Sequence, residues 1–423
     1  MSTTQVVRRQ PAALPDSLVF WGMAGVLGLF MFAASAPSPL YQIYAASWHF
    51  SSLTLTIVFA LYAIALLAAL LVTGRLSDHL GRRPVIIAAI VIEIAAMACF
   101  IAAGSTEVLG LARTLQGAAT GMAIGALSAA LVELSPGPAP VVNSAAPTFG
   151  LAAGGLGASV LVQYAPAPTR LVYWLLLAGF AAGAVLAAFM RETGEKHPGT
   201  LASLVPNAAV PPRARRAFIR VAPCLIALWA LSGFYLSLGP GLAASIVGSG
   251  NRLWGGLVIF LLCGCGGVAV ILARKAAARP AMLYGCAALF VGVGLTFAAI
   301  TAGSFALFAC GSAIAGAGFG LSFLGAFRTL SSLAAPSERA GTIAVIYIVS
   351  YLAFSIPIVA AGIATASFSA HSVALVFSAS VAGLAAIGTV AGLYTGKAAA
   401  HHEGVPPRTG RPRPPHAGQV PER

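Results

Sequence analysis

Along the chain, long apolar runs alternate with short polar breaks. Runs near the roughly 20 residues needed to cross a bilayer predict twelve helices. They lie at about 18–36, 52–74, 84–103, 107–134, 142–164, 171–190, 217–238, 253–273, 280–301, 304–333, 340–366 and 371–395. Asp16 and Ser17 stand where they could cap the first run, which breaks at Ala36-Pro37-Ser38-Pro39 and continues as the amphipathic LYQIYAASWHF. The seventh is interrupted at Gly239-Pro240-Gly241. Outside the runs lie a polar tail (1–16), a linker rich in Pro, Gly and Arg (191–216) and a tail (396–423) whose Pro, Arg and His content reads as disordered.

Landmarks recur at a spacing of roughly 200 residues. Pro39 and Pro240 break the first and seventh runs, and Pro84 and Pro280 open the third and ninth. Gly125 and Gly325 sit within the fourth and tenth, which Pro136 and Pro336 follow. The expected architecture is an all-α integral membrane protein with two pseudo-symmetric six-helix bundles, 17–190 and 217–395. Broken helices at matching places in two halves point to a transport cavity.

Composition agrees with this class: 59% of residues are hydrophobic and 8% charged, against about 25% charged in soluble domains. The formal charge of +14 does not mark a nucleic-acid partner, because the basic residues fall between apolar runs in a topogenic pattern. With the N-terminus inside, the inner segments carry Arg8, Arg9, Arg75, Arg82, Arg83, the arginines of the linker, Arg274, Lys275, Arg279, Arg328, Arg339 and the basic tail. The outer loops carry Arg170 and Arg252. Both termini are therefore expected in the cytoplasm and the chain in the cell (inner) membrane. The apolar run after Arg8 and Arg9 reads as a retained span rather than a signal peptide. All six cysteines lie within apolar runs, which argues against disulfides and metal sites. No Gly-x-x-x-x-Gly-Lys-Ser/Thr loop occurs and no nucleophile–base set is visible, so neither an enzyme nor a cofactor is expected.

The densest charge in the first half is GRLSDHLGRRPV, residues 74–85, a polar hairpin that cannot lie in hydrocarbon. Gly74 and Gly81 would permit the turn and Pro84 would sit just inside the next helix. In this setting it resembles the loop motif of the major facilitator superfamily through Gly74, Leu76, Ser77, Asp78, Gly81, Arg82 and Arg83, with His79 where a basic residue is usual. ARTLQGAATG resembles that family's Arg-any-any-Gln-Gly segment through Arg113, Gln116 and Gly117. Gly150-Leu151-Ala152-Ala153-Gly154-Gly155 is similar to its antiporter signature, with Leu151 in place of proline. The likeness spans about 17–395.

The resemblance implies the twelve-helix superfamily fold and a cavity lined chiefly by helices 1, 4, 7 and 10. It also implies a gate latch of Gly74, Asp78, Gly81, Arg82, Arg83 and Glu133, in which Asp78 faces the start of helix 11 and holds the outward-facing state. Within the spans, Glu93 lies roughly 14 Å and Arg113 roughly 9 Å from opposite ends, at ~1.5 Å per residue. They form either a structural ion pair or a proton-carrying Glu93 tuned by Arg113. Cavity candidates are Tyr41, Gln42, Tyr62, Gln116, Tyr235, Tyr347 and Tyr351, with an interfacial belt as the competing role of Tyr41 and Tyr44. Arg328 reads as a topogenic anchor, and Gly150, Gly154, Gly155 and Gly157 as helix-packing positions. The expected function is alternating-access transport by a monomer whose partners are a small molecule, protons and the bilayer. Proton-coupled efflux of an amphipathic, drug-like compound is set against symport of a small organic solute and against a non-transporting receptor or scaffold.

Overall fold

The structure is a computed structural model that describes residues 14–74, 76–194, 208–335 and 338–403, with backbone alone for 340 and 393–403. Arg75, Pro336, the middle of the linker and most of both tails lie outside the described residues. Fifteen α-helices and no strand occur among the described residues. In the first half these are α1 (Asp16–Ser35), α2 (Tyr41–Trp48), α3 (Ser52–Thr73), α4 (Leu76–Leu80), α5 (Arg82–Ala102), α6 (Thr106–Leu134), α7 (Ala139–Tyr164) and α8 (Leu171–Ala188). The second half contributes α9 (Pro212–Ser237), α10 (Gly239–Val247), α11 (Leu253–Leu272), α12 (Ala278–Ala302), α13 (Phe305–Ser332), α14 (Arg339–Ala364) and α15 (Ala370–Glu403). Twelve are long and apolar enough to cross a membrane when α1 and α2 are counted as one span.

Local chemistry sets most boundaries. Ser51, Ser105 and Ser304 precede α3, α6 and α13, and each hydroxyl accepts from a backbone N–H three residues on. Gly248 and Gly303 end their helices at φ +65° and +62°, a conformation glycine adopts without a Cβ penalty. Three boundaries differ from expectation. α9 starts at Pro212, five residues early and inside the expected linker, because proline suits a first helical turn. Pro15 is the N-cap of α1 and makes no side-chain capping bond, so Asp16 acts from the first turn on the exposed N–H groups. The last helix runs past 395 to Glu403, because Lys397-Ala398-Ala399-Ala400 is a strong helix-forming run.

The two halves repeat one pattern of packing. In the first, α3 and α5 pack on α6, α1 on α6, α7 and α8, and α5 on α8. In the second, α11 and α12 pack on α13, α9 on α13, α14 and α15, and α12 on α15. Two extensive contacts join the halves, α3 with α14 and α7 with α11, and the repeat relates them to each other. α5, α8, α12 and α15 stand away from this seam.

Small residues bring backbones together where side chains would hold them apart. Ser35 Oγ donates to Leu151 O at 2.8 Å, tying α1 to α7. A Cβ at Gly150 would strike Gly28 and Met31, one at Gly154 would strike Ser35 and Phe32, and one at Gly157 would crowd the Phe32 ring. These three glycines join α7 to its own half. Gly155 instead faces Ile259 of α11, across the seam.

Candidate functional site

The charged hairpin folds into a compact network. α4 ends beside Gly81, whose φ of +99° needs a residue without a Cβ. A Cβ there would also collide with the Glu192 carboxylate. Glu192 accepts from the backbone N–H groups of Arg82 (2.6 Å) and Arg83 (3.3 Å), so it satisfies the open end of α5. Gly74, by contrast, has the ordinary helical φ of −56°, and what a Cβ there would meet is the Leu70 carbonyl oxygen, at 2.6 Å.

Arg82 is the hub. Its Nη1 donates to Asp78 Oδ1 (2.5 Å) and Ser77 Oγ (2.6 Å), while Nε and Nη2 reach Glu133 Oε1 at 3.1 and 3.0 Å. Thr193 Oγ1 donates to the other Glu133 oxygen at 2.6 Å. The network therefore joins α4, the start of α5, the end of α6 and the segment that follows α8. Its ion pairs among the described residues stay within the first half. At the start of α14, Glu338 is paired with Arg213 instead. Asp78 is thus held by Arg82, and among the described residues it makes no hydrogen bond or ion pair with the start of helix 11.

Deeper in the first half, Glu93 and Arg113 are both fully buried. The direct ion pair, one of the two arrangements expected of them, is not among the salt bridges of the described residues. Gln116 stands between them, accepting from Arg113 Nη1 at 2.5 Å and donating to Glu93 Oε1 at 3.4 Å and to Ala33 O at 2.9 Å. Arg113 Nη1 also donates to Ala34 O at 3.1 Å. These carbonyls end α1, where the coming Pro37 and Pro39 break the helix and free its acceptors. The guanidinium lies over the Tyr62 ring at 4.2 Å and the Phe59 ring at 5.6 Å, so cation–π attraction replaces part of its hydration. Tyr41 lies beside it. Even so, the Tyr41 hydroxyl, Arg113 Nε and Glu93 Oε2 find no hydrogen-bond partner among the described residues.

The other cavity candidates divide. Tyr347 and Tyr351 stack at 6.3 Å, and Tyr351 packs on Trp229 at 5.3 Å. Phe354 meets Phe59 of the first half at 5.0 Å, so this aromatic wall reaches the seam. Tyr235 is instead turned into its own half, where its hydroxyl bonds Thr296 (2.9 Å) and Ser312 (3.1 Å). Gln42 bridges the halves by accepting from Arg252 Nη1 at 2.5 Å, while Arg252 N–H donates to Gln163 Oε1 at 3.0 Å. Neither Tyr41 nor Tyr44 belongs to an interfacial belt: both are buried, and Tyr44 hydroxyl contacts Thr169 O and Tyr173 hydroxyl. Arg328 holds the carbonyls of Arg274 (2.8 Å) and Ala276 (2.6 Å) beyond α11. A separate cleft of about 150 Å³, lined by Tyr44, Trp48, Phe100 and Arg170 among others, lies at the end of the bundle away from the charged hairpin.

Comparison with known families agrees with this geometry: the model of the Major Facilitator Superfamily matches residues 23–357. The chain belongs to the major facilitator superfamily. Among curated proteins, none matches it significantly. As a superfamily member it is a multi-pass secondary transporter, which implies a small-molecule substrate and a bilayer. Within this superfamily fold, four functional candidates escaped the sequence reading. Glu192 and Thr193 follow a span end and carried a signal, an acid beside Arg191. Trp229 and Arg252 carried none, since one aromatic residue in an apolar run and one arginine in a loop are ordinary.

Proposed function

We propose that this protein is a proton-coupled transporter that exports a small amphipathic compound by rocking its two halves about the seam. The observation that carries the reading is the Glu93–Gln116–Arg113 chain. Glu93 and Arg113 are the charged side chains fully buried among the described residues. A charged group held within hydrocarbon is costly and is retained where it serves a pathway or a partner. A carboxyl that can gain or lose a proton beside a fixed cation supplies a coupling site, and Gln116 passes the change to Arg113 and to the end of α1. Glycine positions resembling the antiporter signature support export.

Basic-residue placement puts the charged hairpin and both termini on the cytoplasmic face. The seam contacts Gln42–Arg252, Gln163–Arg252 and Phe59–Phe354 lie toward the other face. This arrangement corresponds to an inward-facing conformation, in which Asp78 is released from the second half. On closure toward the outward-facing state, Asp78 would meet the start of α14.

Import of an organic acid by proton symport is the second reading, favoured by the unpartnered Nε of Arg113. Inside-out vesicles separate the two. Export predicts that substrate uptake dissipates an imposed acid-inside gradient, whereas symport predicts substrate release together with protons. A reconstituted protein that binds ligand and never moves it under any gradient refutes both.

A further inference from the structure

The second-half wall carries a group that the transport reading does not use. Trp229 of α9 is ringed by Phe319 and Phe323 of α13 and by Tyr351 and Phe354 of α14, with centroids 5.3–6.0 Å away. Its indole N–H is buried and has no partner among the described residues. Leaving a buried donor unsatisfied is costly, and buried Trp N–H groups ordinarily find an acceptor. The cluster lies at the seam and not toward lipid, because Phe354 meets Phe59, and Phe59 in turn lies under Arg113. Trp229 and Arg113 both sit roughly 10–12 Å from the helix ends away from the charged hairpin, at ~1.5 Å per residue.

We infer that the Trp229 cluster is the second-half wall of the substrate site and takes a planar aromatic ring bearing an acceptor oxygen, neutral or anionic. Three features select this class. Five aromatic side chains offer ring edges and faces to a flat apolar body. The free indole N–H is a donor only, so it selects an acceptor. The fixed charges nearest this wall are cationic, Arg113 behind Phe59 and Tyr62 and Arg252 at the end of the seam, while Glu93 stands further back on α5, away from the second half. The field at the wall is therefore positive and disfavours an organic cation, although aromatic clusters alone would accept one.

This inference rests on the reading of the seam as the transport pathway, and equilibrium binding to the purified full chain tests it without any gradient. The probes are 2-naphthoate, cyclohexanecarboxylate and 2-naphthyltrimethylammonium. Naphthoate is expected to bind saturably and at least about tenfold more tightly than either of the others. Trp229→Phe, which keeps a ring and removes the N–H, should weaken naphthoate at least about tenfold, the value of one hydrogen bond to a charged acceptor, and leave 2-naphthyltrimethylammonium, which offers no acceptor oxygen, unchanged. Equal or tighter binding of the ammonium probe, equal binding of the saturated acid, unchanged naphthoate affinity in the variant, or no binding of any probe would overturn it. The probe ranking needs no variant, so a misfolded Trp229→Phe leaves the test intact. Proton movement in proteoliposomes is scored separately. Naphthoate binding as described without coupled protons refutes the coupling alone, whereas coupled transport of another cargo untouched by Trp229→Phe refutes this site alone.

Discussion

At the scale of single residues, the first half concentrates charge where the second has none. Arg113 occupies the place in α6 that Ser312 holds in α13 when the helices are aligned from their capping serines, Ser105 and Ser304. Ser312 bonds Tyr235, and the whole second-half node is neutral. Coupling should therefore reside in the first half. Glu93→Gln keeps a side chain of the same shape that can still bond Gln116, but it cannot titrate. Ligand affinity should stay within about threefold of wild type by calorimetry, while its dependence on pH and proton movement in proteoliposomes should vanish. Retained coupling would leave Glu93 a structural role. At Gly81 the expectation concerns stability. A Cβ there is opposed by the left-handed backbone, worth roughly 1–3 kcal/mol, and by the Glu192 carboxylate. Gly81→Ala should lower Tm by several degrees in a thermal-unfolding assay, and an unchanged Tm would show that the turn tolerates a Cβ there. The need for glycine in the hairpin was legible in the sequence. Which of Gly74 and Gly81 takes the positive φ was not, because φ depends on where Glu192 arrives from 110 residues away in sequence.

Among the elements, the short helix α4 and its neighbours form one charged knot, and the sequence disclosed about half of it. Asp78, Arg82 and Glu133 stood out as charges at span ends. Glu192 and Thr193 offered only an acid beside a span end, and nothing local shows that the end of α8 returns to the start of α5. Such a knot of partly exposed ion pairs contributes little stability. Asp78→Asn should accordingly leave Tm within about 2 °C while slowing substrate flux at least tenfold in proteoliposomes. Wild-type flux in that variant would remove the latch assignment. The twelve spans were readable for a different reason: hydrocarbon imposes a minimum apolar length on any crossing helix, whatever its neighbours. Tyr235 bonds Thr296 and Ser312 within its own half, and a tyrosine in an apolar run says nothing about which neighbour its hydroxyl will find.

For the whole molecule, the halves meet through α3 with α14 and α7 with α11, and the polar clasp Gln42–Arg252–Gln163 lies at one end of that seam. A hydrogen bond to a charged group contributes about 1.5–3 kcal/mol, so removing Arg252 should shift the conformational balance measurably. Arg252→Ala should raise the outward-facing population about tenfold, read as increased labelling of a cysteine placed at residue 56 in a background lacking the native cysteines. Unchanged labelling would reduce the clasp to a surface contact. None of this was legible beforehand, since Arg252 and Gln42 lie 210 positions apart and neither sits in a recognisable motif.

Gly155 gives the seam a mechanical character. Where α7 meets α11, Gly155 lies against Ile259, and Gly256 lies against the Gly155 carbonyl and Ser159. Contacts of this kind hold few interlocking rotamers, so one half can slide over the other without unseating side chains on the way. The seam behaves as a bearing, smooth by virtue of missing atoms, and its smoothness should be measurable as a shallow temperature dependence of turnover. Gly155→Ala adds one methyl group to that surface. It should steepen the Arrhenius slope of transport in proteoliposomes and slow flux several-fold at low temperature, with little change near the temperature optimum.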